Sequence, residues 1–209
     1  MIIKSKEDVL KGINLMIKPG EKALIQGPNG SGKSTIVKLI LGLYRIERGN
    51  IFIDGHDINT LSLSSLRERI SFVSQNVFLF NDTIKNNILY SRPDAKNEEV
   101  EKAAKLAGAY EFIMNLEDGF DTVIGETGKK LSGGERKKLS IARAVLKDSD
   151  IIIFDEATSE LDLESERRIE ELIAERFKER TCIIISHRKW ESSPLDRVYI
   201  LKDGRFNDN

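Results

Sequence analysis

The sequence predicts an α/β fold, and three observations carry that prediction. A short apolar run, Ala23-Leu24-Ile25, leads into a glycine-rich loop and then into an amphipathic helix opened by Ile36-Val37-Lys38-Leu39-Ile40-Leu41. Two further runs, Ile151-Ile152-Ile153-Phe154 and Cys182-Ile183-Ile184-Ile185, are continuously apolar, as strands buried on both faces of a parallel sheet are. Between residues 76 and 147 a helical period dominates and no strong buried strand appears. The expected organisation is an α/β core, residues 1–75 and 148–209, interrupted by a helical subdomain at 76–147.

Taken in order, Ile13-Asn14-Leu15-Met16-Ile17-Lys18 alternates apolar and polar, the pattern of a half-exposed strand. Pro19-Gly20-Glu21 reads as a turn, and Lys22–Gln26 as the strand that returns from it. The loop that follows is Gly27-Pro28-Asn29-Gly30-Ser31-Gly32-Lys33-Ser34-Thr35, which fits G-x-x-x-x-G-K-[ST] at every specified position. Its glycines let successive N–H groups point into one concavity, an anion-binding nest at a helix N-terminus. In such a loop Lys33 reaches the β- and γ-phosphates of a nucleotide and the Ser34 hydroxyl coordinates Mg²⁺. The first helix should end near Gly42. Asn50–Ile53 is a strand with Asp54-Gly55 as its turn, Ser64–Arg69 is helical, and Ile70–Ser74 is a strand. Two strand pairs joined by tight turns predict an antiparallel portion beside the parallel sheet. Helices are expected at Thr83–Leu89, Glu98–Ala107, Tyr110–Leu116 and Gly134–Leu146. A crossover helix follows at Ser165–Phe177 and a last strand at Val198–Leu201.

Asp155 stands at the carboxyl end of a buried strand, where a phosphate-loop ATPase needs a carboxylate to hold Mg²⁺ through its hydration shell. Glu156, next to it, is placed to polarise the attacking water as general base. In Leu131-Ser132-Gly133-Gly134-Glu135, Ser132 can cap the helix that runs on to Leu146, and the two glycines permit close backbone approach. A helix start of that kind is a second anion site, or simply a good N-cap.

Composition narrows the field. A chain of 209 residues, 40% hydrophobic and 32% charged, is an ordinary globular protein. A net charge of −1 removes the electrostatic case for nucleic-acid binding. Arg136-Lys137-Lys138 is a basic cluster that reads, on a helix, as a solvated face. The one cysteine, Cys182, lies in an apolar run, cannot form an internal disulfide, and suits a reducing compartment. No apolar run approaches the roughly 18 residues a membrane helix needs.

Phosphate loop, Gln75, Leu131–Glu135, Ile151–Glu156 and His187, in this order and at these intervals, resemble the nucleotide-binding domain of ABC transporters. The resemblance runs from about Val9 to Arg205. It implies a P-loop NTPase (RecA-like) core with an antiparallel β subdomain and an inserted α-helical subdomain, binding ATP and Mg²⁺. It implies that Gln75 senses Mg²⁺ and the attacking water, and that His187 contacts the γ-phosphate. Ser159-Glu160-Leu161-Asp162 matches the family's D-loop, with Asp162 at a dimer seam. Two copies would close head-to-tail around two ATP, each phosphate loop facing the partner's Ser132, Gly133 and Gly134. The domain would work at the cytoplasmic face of a membrane, with membrane-spanning domains as further partners.

Two stretches resemble the exporter branch. Gln75-Asn76-Val77-Phe78-Leu79-Phe80-Asn81-Asp82-Thr83-Ile84, followed by Asn87-Ile88, looks like its Q-loop region, and Gly125-Glu126-Thr127-Gly128 like its X-loop. In that branch Glu126 and Phe78–Phe80 lie near the coupling helices of the membrane domains. Three departures stand out. Glu135 replaces the usual glutamine of the signature. No aromatic residue near Met1–Ser5 is available to stack on adenine, which predicts weak discrimination between ATP and GTP. Both ends of the chain look like cuts, so an excised domain of a longer transporter is expected. The alternatives are a non-transport ATPase of the same superfamily, of the iron–sulfur assembly or DNA-maintenance class, and a regulatory subunit that binds ATP without turnover.

Overall fold

Alternation of side chains along continuously apolar strands decides the architecture. A computed structural model describes residues 8–158, 161–187 and 195–207. In chain order the elements are β1 (Lys22–Gln26), α1 (Lys33–Ile40), β2 (Phe52–Ile53), β3 (His56–Asp57), α2 (Leu63–Arg69), β4 (Ile70–Val73), α3 (Ile84–Leu89), α4 (Asn97–Leu106), α5 (Tyr110–Met114), α6 (Gly133–Lys147), β5 (Ile151–Asp155), α7 (Leu163–Glu175), β6 (Thr181–Ile185), β7 (Arg197–Lys202) and β8 (Arg205–Phe206). One sheet runs β4-β5-β6-β1-β7-β8. Its first five strands are parallel, and β8 turns back antiparallel on β7.

Successive residues of each central strand serve opposite faces. On one face Leu24, Ile152, Phe154, Cys182 and Ile184 pack with α3, α4, α6 and α7 through residues such as Ile88, Val100, Leu139 and Ile173. On the other, Ile25, Ile153, Ile183 and Ile185 pack with Ile36, Val37 and Ile40 of α1 and Leu66 of α2. The helices between residues 76 and 147 therefore share one continuous apolar core with a face of the sheet. Burial of the Cys182 thiol in that core pushes its pKa up to about 12. Among the described residues no helix is long and apolar enough to cross a membrane.

The strand expected at residues 13–18 is not formed. Its alternation is real: Ile13, Leu15 and Ile17 turn inward against the second core while Asn14, Met16 and Lys18 face out. A strand also needs a ladder partner, and the expected one, β1, has both edges taken by β6 and β7. The antiparallel portion is accordingly small: β2 pairs with β3 across the Asp54-Gly55 turn. The helices begin where capping chemistry starts them. Thr83, Ser132 and Asp162 each accept a hydrogen bond from a backbone N–H three residues on.

Candidate functional site

β4, β5, β6 and β1 lie side by side and parallel, so their carboxyl ends form one row. Register aligns that row: Asp155 stands opposite Ile185, and Ile185 opposite Ile25. The chain leaves these ends as Ser74-Gln75, Glu156, Ser186-His187 and the loop from Gly27 to Thr35. This is the edge at which open parallel sheets receive ligands.

The loop is shaped for close approach. A Cβ on Gly27 would lie 2.1 Å from the Leu201 carbonyl oxygen, and one on Gly32, at φ +112°, would lie 2.6 Å from the Leu10 side chain. Pro28, Asn29, Gly30 and Ser34 are exposed, and Thr35 is half-buried as α1 gets under way. Lys33 is buried, and its ammonium donates to the carbonyls of Gly27 at 2.7 Å and Pro28 at 2.9 Å. Burial lowers its pKa, against an opposing pull from the nearby Glu156 and Asp155 carboxylates. The Ser31 hydroxyl is buried with no hydrogen-bond partner among the described residues. A desolvated cation and an unpaired hydroxyl, in a loop whose Gly27 and Gly32 admit no side chain, fit a polyphosphate.

The row supplies acid as well as base. Asp155 is buried, and its pKa is raised first by burial and then by the adjacent Glu156. Glu156 holds a left-handed backbone, φ +49°, uncommon for a residue with a side chain. Its carboxylate accepts from the Gln75 amide nitrogen at 2.6 Å, and its other oxygen lies 2.5 Å from His187 Nε2. Gln75, Glu156 and His187 therefore meet at one carboxylate, within electrostatic range of Lys33. Among the described residues no group of three or more His, Cys, Asp or Glu could cage a metal alone. The Ser34 hydroxyl and the Asp155 carboxylate fit Mg²⁺, which binds few protein ligands and takes the rest from phosphates and water.

Ser132, Gly133 and Gly134 lie elsewhere. With Glu135, Lys138 and Asp162 they line an open pocket of about 540 Å³. Ser132 caps α6 in a reciprocal box: the Glu135 N–H donates to Ser132 Oγ at 3.3 Å, and the Glu135 carboxylate accepts from the Ser132 N–H at 2.7 Å and its hydroxyl at 2.9 Å. Asp162 caps α7, accepting from the Ser165 N–H at 2.8 Å and its hydroxyl at 3.1 Å; the backbone bond leads in holding its carboxyl below the usual range. The helix that Ser132 caps, α6, packs against β4, and β4 stands three strands from β1, whose end carries the phosphate loop. Ser159, Glu160 and the region Met1–Ser5 lie outside the described residues.

A second reading of the sequence is overturned. Lys137 is not on a solvated face: it is only 1% exposed. Its ammonium donates to the carbonyls of Ser74 at 2.9 Å, Gln75 at 2.8 Å and Glu156 at 3.4 Å. The signal was available, since Lys137 precedes the buried Ile141 and Ala144 by four and seven residues on the inner stripe of α6. Arg143 was missed as well. It donates to the carbonyls of Asn87 and Phe78, at 2.6 and 2.7 Å, and burial lowers its pKa to about 10.

The family model for ABC transporters matches residues 10–159. The ATP-dependent lipid A-core flippase of Pectobacterium atrosepticum is 52% identical over 198 residues, which cover 94% of this chain and 34% of that protein. The flippase of the same name from Escherichia coli K12 is 48% identical over 93% of this chain and 34% of its own length. A solved structure of a bacterial Atm1-family ABC exporter with ATP bound superposes with a TM-score of 0.93 at 40% identity, covering 98% of this chain and 36% of that one. The chain thus spans about a third of the length of the relatives it matches.

Proposed function

The chain belongs to the ABC transporter family, and on that premise we propose that it is the ATP-hydrolysing domain that powers an exporter. One observation carries the reading: a carboxylate, Glu156, is held by Gln75 and His187 on the same strand-end row that bears the phosphate loop. The nest from Gly27 to Thr35 binds the triphosphate, and the Lys33 ammonium moves from the Gly27 and Pro28 carbonyls onto the β- and γ-phosphate oxygens. Ser34, Asp155 and Gln75 would hold Mg²⁺, which would supply neutralisation of the phosphate charge. Glu156 takes a proton from water as the water oxygen bonds to the γ-phosphorus. The bond to the β–γ bridging oxygen breaks and ADP leaves. His187 orients the γ-phosphate, so catalysis is mainly positioning and charge stabilisation.

Ser132, Gly133, Gly134 and Asp162 contact the ATP held by a second nucleotide-binding domain, and each such domain completes the other. Residues 76–147 act as the subdomain that answers to the membrane domains at the cytoplasmic face. Phe78, exposed and edge-on to Phe80 at 5.2 Å, and Glu126 form the contact. The flippase relatives make a lipid the first cargo to test.

The deciding measurement is phosphate release by the purified protein with Mg·ATP. Glu156→Gln lowers kcat by about 100-fold or more with little change in KM. A wild-type rate in that variant would remove Glu156 from the role of base.

A further inference from the structure

A buried ammonium, that of Lys137, stands between the two halves of the proposed site. Lys137 belongs to α6, the helix whose N-terminus is the Ser132-Gly133-Gly134 signature. Its Nζ reaches the carbonyls of Ser74 and Gln75, just past β4, and of Glu156, just past β5. Two of these three carbonyls belong to the residues whose side chains meet at 2.6 Å, Gln75 and Glu156. Glu156 also holds a left-handed backbone that needs external support. Two further cations of α6 grip the same run of chain. Lys147 donates to the carbonyl of Ile70 at 2.7 Å, where β4 starts, and Arg143 to that of Phe78 at 2.7 Å, beyond Gln75. Lys137 is the grip that also reaches the acid.

We propose that Lys137 is a positioning residue for ATP hydrolysis, a clamp that ties the direction of the Gln75 and Glu156 side chains to the seating of the signature helix. Three carbonyl oxygens from the chain just past two neighbouring strands converge on one ammonium, which holds both stretches toward α6 at a single point. Charge matters alongside reach, because a buried ammonium donates stronger hydrogen bonds than a neutral amide. When a partner's nucleotide draws on the N-terminus of α6, the displacement passes through Lys137 to the backbone carrying the base. The clamp thus couples the half-site a chain lends to its partner with the half-site it keeps. The inference rests on the reading of Glu156 as general base.

The test compares Lys137→Met, which keeps the length and removes every donor, with Lys137→Gln, which keeps a neutral, shorter donor. Steady-state ATP hydrolysis is measured in the purified protein alongside the melting temperature, with wild type and Glu156→Gln in parallel. The expected result is a kcat about 10- to 100-fold lower in Lys137→Met with KM for ATP within about twofold, and an intermediate kcat in Lys137→Gln. If Lys137→Met fails to fold, Lys137→Gln decides, its kcat falling at least about fivefold at unchanged KM. A kcat within twofold of wild type in the folded variants would overturn the clamp, as would a loss that merely tracks the folded fraction. An active wild type with an unaffected Glu156→Gln would instead fail the reading on which the clamp rests.

Discussion

Asp155 shows what a single residue contributes to this site at the expense of the fold. Its carboxylate is buried at the end of β5, beside Glu156, and both influences favour the protonated form. The folded chain therefore holds the Asp155 proton more tightly than the unfolded chain does. The resulting stability is fully present below the unfolded carboxylate pKa and is lost as pH rises through the higher folded one. At pH 7, without Mg²⁺ or nucleotide, the ionised group is a burden. Asp155→Asn should raise the melting temperature at pH 7 by about 2–4 °C, the shift that ~1 kcal/mol gives in a domain of this size, while abolishing Mg²⁺-dependent turnover. The advantage should shrink as the scan is repeated toward pH 4; a lower melting temperature at pH 7 would refute it. The place of Asp155 at the end of a buried strand was legible in the sequence because four apolar residues lead into it. Lys137 was not. Adjacent basic residues read as one solvated group, whereas a helix turns each by about 100° and sends the middle one inward among the carbonyls of two strands.

At the scale of elements, local chemistry was readable and pairing was not. The start of α6 followed from Ser132, whose side chain accepts an N–H of its own first turn; Thr83 and Asp162 cap α3 and α7 in the same way, and Asp162 starts α7 at Leu163, ahead of the expected Ser165. The segment at residues 13–18 carries a strand's alternation without a strand's hydrogen bonds, because no pattern within it can report that both edges of β1 are occupied. The start of α6 combines two demands that Glu135 sets against each other. Its carboxylate accepts from the Ser132 N–H and hydroxyl at 2.7 and 2.9 Å, which suits the positive end of the helix. The same bond occupies the hydroxyl proposed to meet a partner's phosphate and places a negative charge beside it. Glu135→Gln should therefore lower stability by about 0.3–1 kcal/mol in denaturant titration. It should also strengthen ATP-driven dimerisation, by about 5-fold if the relief is near 1 kcal/mol. Both effects moving in the same direction would show that the carboxylate and the nucleotide do not compete for Ser132.

For the whole molecule, the sheet order matters most. It brings Gln75, Glu156, His187 and the phosphate loop onto one row and sets β4, against which the signature helix packs, three strands from β1. The motifs and their order were legible from the sequence; the separation of β4 from β1 was not, since it depends on two strands, β5 and β6, that enter the chain much later. If each site is completed by a second chain, a defect in one half of the site can be compensated by mixing. Lys33→Ala damages the phosphate loop and Ser132→Ala the signature. In a dimer that joins one of each, head-to-tail closure gathers both defects into one site and leaves the other intact. Equal amounts of the two variants give mixed dimers in about half of the population, each with one working site of two. Phosphate release from the mixture should thus recover to about a quarter of the wild-type rate, although each variant alone stays near background. A mixture no more active than the average of its separate components would mean that the loop and the signature of one chain do not serve each other across two.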